Sequence, residues 1–235
     1  MSSKIEIPYY YDLEPKSNTC FHAQLKEKKI LGEEDVSSPD HDIVNIGREY
    51  LTTTHTTFTI KRGSGQFTDN TIVILNHENK EVFNFKKKWY SDSTVLRDCH
   101  NTPILTSRYH FSIKRPEGDS VNSLPTKEIQ EKITISSGYS IDGKYGEINS
   151  RYILNKVGMN VRRAEFENKI LNKKEILEIR HQHYTPDYYV YSNVGETNEI
   201  MICKFKFEEK KYTIEIAPRV DYMYMLAICL NILIL

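Results

Sequence analysis

The sequence is poor in the residues that mark several common protein classes. Its 235 residues include four cysteines and one tryptophan, and the formal net charge is zero. The cysteines stand far apart without a C-x-x-C pair, which argues against a zinc ribbon or a disulfide scaffold. Balanced charge gives the chain no overall electrostatic attraction to DNA or RNA. We therefore expect no nucleic-acid partner, no metal and no cofactor.

The N-terminus also lacks the apolar segment of a signal peptide, and the sequence has no N-x-[ST] glycosylation acceptor. Together with the scattered cysteines, these absences predict a reducing compartment. We expect a cytoplasmic monomer, with peripheral attachment at a membrane as an option.

Against this polar background, one apolar run occupies residues 220–235. As a helix it would span roughly 24 Å, less than the ~30 Å hydrocarbon core of a bilayer. Asp221 and Asn231 interrupt the run, which also argues against a membrane span. Because the remaining residues are apolar on every face, a helix at about 219–234, starting near Pro218, must be buried on all sides.

The upstream residues 56–216 show short β-branched and aromatic runs separated by turn residues. This pattern predicts about eleven antiparallel strands. Residues 71–75 and 81–87 form one predicted hairpin, and residues 93–97 and 103–109 form a second. The assignment of residues 170–179 stays open between strand and helix.

The domain prediction separates an N-terminal part from one large domain. Residues 1–42 contain few apolar residues and an acidic stretch at 33–40, which predicts a partly disordered arm or linker. Residues 43–235 are predicted to form a single domain.

Two motifs carry a resemblance to a known family: N-T-P-I-L at residues 101–105, and P-R-V-D-Y at residues 218–222, where the apolar run begins. The sequence resembles the LURP-one-related family over residues 56–235. That family is a branch of the tubby C-terminal-like superfamily, which also includes phospholipid scramblases. The resemblance implies an antiparallel, closed β-barrel of about twelve strands enclosing the hydrophobic C-terminal helix.

For function, the resemblance implies a non-enzymatic binding or scaffold module, with anionic membrane lipid such as phosphoinositide as a candidate ligand. The phosphoinositide-binding basic pair of tubby proteins has no clear counterpart here. The cysteine-rich and calcium-binding segments of scramblases have none either. Two alternatives stay open: a scramblase-like protein with its C-terminal helix in the membrane, and a protein-interaction module without a lipid role.

The densest basic and aromatic group is the lipid-binding or phosphate-binding candidate. Its members are cationic apart from one tryptophan: Lys86, Lys87, Lys88, Trp89, Arg97 and Arg108. Cations on neighbouring strands would meet phosphates, and the indole would lie at a lipid interface. The competing interpretation is a charged edge strand that resists aggregation.

Other candidate groups have weaker patterns. His181 and His183 could face one metal ion from a strand, but two ligands do not make a zinc site. Cys99 and His100 lie in a D-C-H-N sequence that turn chemistry explains without a thiol nucleophile. No convergent catalytic set emerges, so the protein is predicted not to be an enzyme.

Four polar residues receive structural predictions. Arg162 and Arg163 are assigned to a solvated face. Asp221 is interpreted as an acidic residue in the first helical turn, where it meets the positive end of the helix dipole. Asn231, inside the apolar run, is predicted to hydrogen-bond the backbone of the surrounding wall.

Overall fold

The computed structural model describes residues 32, 34–62, 71–87, 93–114, 128–137, 144–153, 159–182, 185–209 and 211–234. These residues form a mainly β fold with one short 3₁₀ turn (Arg48–Tyr50) and one C-terminal helix. The strands are β1 (Thr56–Arg62), β2 (Thr71–Leu75), β3 (Glu81–Lys87), β4 (Ser93–Asp98), β5 (Pro103–Lys114), β6 (Glu128–Ser137), β7 (Lys144–Ile153), β8 (Met159–Asn168), β9 (Lys173–Gln182), β10 (Tyr188–Ser192), β11 (Ile200–Glu208) and β12 (Lys211–Ile216), and the helix is α1 (Tyr222–Ile234).

All strand pairings in this sheet are antiparallel. Each joins two strands that follow one another in the chain, except that β1 pairs with β12. Strand β1 also pairs with β2, so it is hydrogen-bonded on both sides. The two predicted hairpins are confirmed as β2–β3 and β4–β5. The segment left open at residues 170–179 contains a turn followed by β9.

We call the β-sheet the wall. Helix α1 packs against the side chains that point inward from this wall. Alternation along the strands supplies these side chains, such as Phe58 on β1 and Phe205 on β11. On the helix, residues 223–230 are almost completely buried. The predicted C-terminal helix is therefore confirmed, and residues 223–230 are buried on every face, as a stretch that is apolar on all sides requires.

The predicted helix start at residue 219 is wrong, because α1 begins at Tyr222. Arg219 has a positive φ of 67°, a left-handed conformation that a right-handed helix excludes. Asp221 is the N-cap, since its Oδ1 accepts the Tyr224 N–H at 3.1 Å. Its role therefore differs from the predicted one: it precedes the helix and satisfies a free backbone donor.

The same carboxylate fixes a distant segment of the chain. Asp221 Oδ2 accepts the backbone N–H groups of Asn45, Ile46 and Gly47 at 3.2, 2.7 and 3.4 Å. Burial raises the pKa of Asp221 above its usual range, although these N–H donors oppose the shift. The segment that follows is held as well. The Thr52 hydroxyl group lies 2.7 Å from the Ala217 carbonyl oxygen and 2.9 Å from the Val220 carbonyl oxygen, just before the helix, and donates to them.

Asn231 has partners that differ from the prediction. Its Nδ2 donates to Ser107 Oγ on β5 at 2.8 Å and to the carbonyl of Ala227, one helical turn earlier, at 2.6 Å. Thr94 Oγ1 on β4 lies 3.4 Å from Asn231 Oδ1. The wall therefore contacts this amide with two hydroxyl side chains, and the predicted bond to wall backbone is wrong.

We expect Asn231→Leu to lower the free energy of unfolding by about 1 to 2 kcal/mol, because it leaves the buried Ser107 hydroxyl without this partner. Chemical denaturation of both proteins measures the difference. Asn198→Leu is the control, since Asn198 is exposed, and a surface change should stay within about 0.5 kcal/mol. A leucine variant more stable than the parent would show that the amide is a net cost to the core.

Candidate functional site

Three predicted cationic residues lie on the outer side of three adjacent strands. Lys86 on β3 pairs with Val95, Arg97 on β4 pairs with Asn84, and Arg108 on β5 pairs with Ser93. The residues next to them in the chain, such as Phe85, belong to the buried core. Lys86 and Arg108 are exposed and Arg97 is partly exposed. Lys86, Arg97 and Arg108 therefore lie on neighbouring strands and on the same side of the sheet.

The remaining members of the predicted group, Lys87, Lys88 and Trp89, fall partly or wholly outside the described residues. Lys87 belongs to β3 and pairs with Thr94, but its side chain is outside the described part of the chain, as are Lys88 and Trp89 altogether. Arg97 also serves a local role, since its Nη1 donates to the Asn101 carbonyl at 2.9 Å.

The structure adds two residues that the sequence did not suggest. His110 lies two residues after Arg108 on β5, and Lys132 on β6 pairs with it. Both side chains are exposed, and the register places them on the same side as Arg108. We use the term outer basic face for the group Lys86, Arg97, Arg108, His110 and Lys132. Alternation along β5 is the signal that could have found His110, whereas Lys132 joins the group only through the register of β5 with β6.

A second outer surface lies on β10 and β11. Tyr189, Tyr191 and Met201 form a small apolar cluster separate from the main core, and Val36 of the N-terminal arm packs on it. We call this group, together with Lys204, the arm-covered face. Lys204 pairs with Tyr189 and is only 5% exposed. Alternation along β11 puts Lys204 on the outer side, opposite the core residues Cys203 and Phe205, yet its side chain is buried there.

A buried charge cluster supports this second surface. Arg180 donates to both carboxylate oxygens of Glu199 at 2.8 and 2.9 Å and to Glu178 Oε1 at 2.7 Å. Its guanidinium also lies over the Tyr191 ring, 4.1 Å from the centroid. Burial works to lower the pKa of Arg180, but the two carboxylates outweigh it and the pKa is raised. This arrangement holds Tyr191 in a fixed position.

The predicted solvated face for Arg162 and Arg163 is wrong for the first of them. Arg162 is buried and pairs with the core residue Ile179, which puts it on the inner side of β8. Arg163 is partly exposed, and its Nε lies 3.8 Å from the buried carboxylate of Glu178.

The metal and thiol candidates also have structural explanations. The His181 ring stacks on the Tyr188 ring, with centroids 4.3 Å apart, while His183 is outside the described residues. Within the described ranges, no group of three or more His, Cys, Asp or Glu residues could hold a metal ion. Cys99 is exposed in a turn, where Asp98 Oδ1 accepts the His100 N–H at 2.9 Å. The turn explanation of this sequence is confirmed.

A search for membrane-crossing helices in the described part of the chain finds none of sufficient length and apolarity.

One of the comparisons with known proteins identifies a family. The sequence model of the LURP-one-related family matches residues 56–232. The comparison with curated proteins gives no match. Among solved structures, an X-ray structure of a protein from Arabidopsis thaliana is similar, with 14% sequence identity and a TM-score of 0.49, over 80% of this chain and 98% of that one.

Proposed function

The chain belongs to the LURP-one-related family, and on that premise we propose that it is a non-enzymatic binding module with a closed, tubby-like barrel. Its proposed ligand is anionic membrane lipid, bound peripherally through the outer basic face. The observation that carries this proposal is the exposure of Lys86, Arg108 and Lys132 on one side of β3, β5 and β6.

The expected strength of this interaction is modest. A lysine or arginine near an anionic leaflet contributes about 1 kcal/mol, so these three cations together contribute roughly 3 kcal/mol. That amount gives reversible attachment that salt weakens, since the charges are exposed and screened within a Debye length. The proposal therefore describes a peripheral protein that leaves the membrane readily.

The scramblase-like alternative needs the apolar helix in a bilayer. Helix α1 is instead enclosed by the wall, and residues such as Met223 and Leu230 have no exposed surface. Moving the helix into lipid would expose the inward-facing side chains that now contact it, which costs free energy in proportion to their apolar area. The enclosed helix therefore supports the binding module over lipid movement as the activity.

We expect full-length protein to float with phosphatidylcholine vesicles that contain phosphatidylinositol phosphates, and to remain behind with phosphatidylcholine alone. The double variant Lys86→Glu with Arg108→Glu should bind at least about 30-fold more weakly, because two contributions of about 1 kcal/mol are lost and repulsion is added. Flotation over a series of lipid concentrations gives both affinities.

A matched control changes the same net charge elsewhere. Arg48 and Lys174 are exposed and do not belong to the outer basic face, so Arg48→Glu with Lys174→Glu should bind nearly as well as the parent. Equal loss in both double variants would assign the effect to net charge alone. Salt-resistant flotation with neutral vesicles would contradict the proposal and support helix insertion.

A further inference from the structure

The arm-covered face contains a backbone carbonyl, that of Met201, which accepts a hydrogen bond from the arm. The register of β10 with β11 shifts between Val190 and Tyr191, so that Val190 pairs with Cys203 and Tyr191 pairs with Met201. Such a shift locally interrupts a ladder and re-aims its groups. The Met201 carbonyl accepts the backbone N–H of Ser37 at 2.8 Å. The arm thus hydrogen-bonds to the wall near the start of β11.

The side chains of this face match the chemistry of the segment that covers it. Val36 packs on the cluster of Tyr189, Tyr191 and Met201. The Lys204 ammonium lies 3.7 Å from Asp35. Burial and the hydrogen-bonded carboxylate of Glu34 together raise the pKa of Tyr191. Two acidic side chains and one aliphatic side chain therefore meet a cation, a phenol and an apolar patch.

Gly32 shows how closely the chain approaches this face. It has a positive φ of 82°, which glycine adopts without a Cβ penalty. A Cβ at this position would collide with the Tyr189 ring. The backbone of the arm at Gly32 therefore lies directly against the Tyr189 side chain.

The hold on this part of the arm is weak compared with the segment that follows it. Within the described residues 34–38, the Ser37 N–H makes the backbone hydrogen bond to the wall, at the Met201 carbonyl. The Asp35 side chain is fully exposed although its partner Lys204 is buried, so water competes with the ammonium for this carboxylate. By contrast, buried hydrogen bonds to Asp221 hold residues 45–47. Residues 34–38 therefore open locally at low cost, while the segment after them stays attached.

We propose that the arm-covered face is a docking site for an extended acidic peptide of another protein, with two acidic residues followed by an aliphatic residue, and that Glu34, Asp35 and Val36 occupy it until that partner displaces them. The face lies on different strands from the outer basic face, so this role goes beyond lipid binding. The mode of recognition is backbone hydrogen bonding for position, with side-chain contacts for specificity.

The test uses full-length protein and a fluorescein-labelled synthetic peptide of residues 32–41 as the probe. The released variant carries Val36→Asp, which removes the apolar anchor, and Ser37→Pro, which removes the N–H donor. We expect the peptide to bind this variant at least tenfold more tightly than the parent protein, as measured by fluorescence anisotropy. Glutamyl endopeptidase should also cut the released variant after Glu34 at least tenfold faster.

Charge exchange identifies the face. Lys204→Glu on the released background should abolish binding of the peptide, and a peptide with lysine in place of Asp35 should restore it. Lys174→Glu is the control on an exposed lysine of β9, and it should leave the affinity unchanged.

Four results would overturn the proposal. Slow proteolysis of the released variant would show that the arm is a fixed part of the fold. Peptide binding that ignores the Lys204 exchange would place the peptide elsewhere, and absence of binding to a released protein would show that the face takes no peptide. A dimer of the parent protein that disappears in the released variant would assign the face to a second copy of this chain instead.

Discussion

Replacing Ile228 with aspartate should abolish cooperative folding. Ile228 has no exposed surface and lies in the middle of α1, enclosed by the wall. The substitution removes about 1.5 to 3 kcal/mol of apolar burial and adds several kcal/mol for an unpaired buried carboxylate. That sum approaches the roughly 5 to 15 kcal/mol that stabilises a typical domain. Near-ultraviolet circular dichroism during a thermal melt should show no transition.

The matched control for this change is Ile176→Asp. Ile176 is 44% exposed on β9, where an added carboxylate stays hydrated, so the melt should remain cooperative with a stability loss below about 1 kcal/mol. Deletion of residues 220–235 should also prevent folding. A cooperative melt of either the Ile228→Asp protein or the deletion protein would mean that the wall is stable without its enclosed helix.

Asp221→Ala should lower the free energy of unfolding by about 3 to 7 kcal/mol. One part is the lost helix cap, which contributes about 1 kcal/mol. The larger part comes from Asn45 and Ile46, whose buried N–H groups lose their acceptor, at about 1 to 3 kcal/mol for each unsatisfied group. Urea denaturation with a common m-value measures the difference.

Burial is the cause that this prediction tests, and Asp98 provides the comparison. Asp98 Oδ1 accepts two backbone N–H groups, from His100 at 2.9 Å and Thr102 at 2.7 Å, but these bonds are exposed. Water can replace the acceptor there, so Asp98→Ala should cost about 1 kcal/mol or less. Equal losses at Asp98 and Asp221 would show that the buried link to residues 45–47 adds nothing to stability.

The features that were predicted correctly from sequence depend on short-range patterns. Alternation and turn residues located the β2–β3 and β4–β5 hairpins because both signals lie within a few residues. The length and apolar character of residues 220–235 predicted a buried helix. Its start was misplaced by three residues because Pro218 suits a first helical turn, whereas Arg219 takes a left-handed conformation in a turn.

The errors arise where distant segments meet. Lys204 alternates with core residues and so looks solvent-facing, but a segment more than 160 residues earlier in the chain covers it. The acidic stretch at residues 33–40 was the available signal, since buried cations need a counter-charge. The predicted arm at residues 1–42 is described from residue 34 onward and at residue 32, and that part packs on the wall.

Three members of the outer basic face were grouped from the sequence. Lys86, Arg97 and Arg108 were grouped because the intervening turns imply neighbouring strands. His110 and Lys132 were missed, since they become neighbours only through the pairing of β5 with β6, and the chain between those strands gives no fixed register signal. Arg162 was misassigned because a double arginine gives no indication of which member faces inward.

The central claim is that the protein acts as a binding module while its apolar helix stays enclosed, and thiol labelling on vesicles tests it most directly. Cys203 on β11 and Cys229 on α1 are buried with their Sγ atoms 4.0 Å apart, whereas Cys99 is exposed. Burial raises the pKa of the Cys203 thiol well above its usual range, with the neighbouring Cys229 adding to the shift, so it reacts slowly while enclosed.

Full-length protein is treated with a maleimide, free and bound to phosphoinositide-containing vesicles, and each cysteine is quantified by peptide mass spectrometry. We expect rapid labelling of Cys99 and none of Cys203 or Cys229 under both conditions. Labelling of Cys203 on addition of vesicles would contradict the account, because it requires the helix to leave the wall.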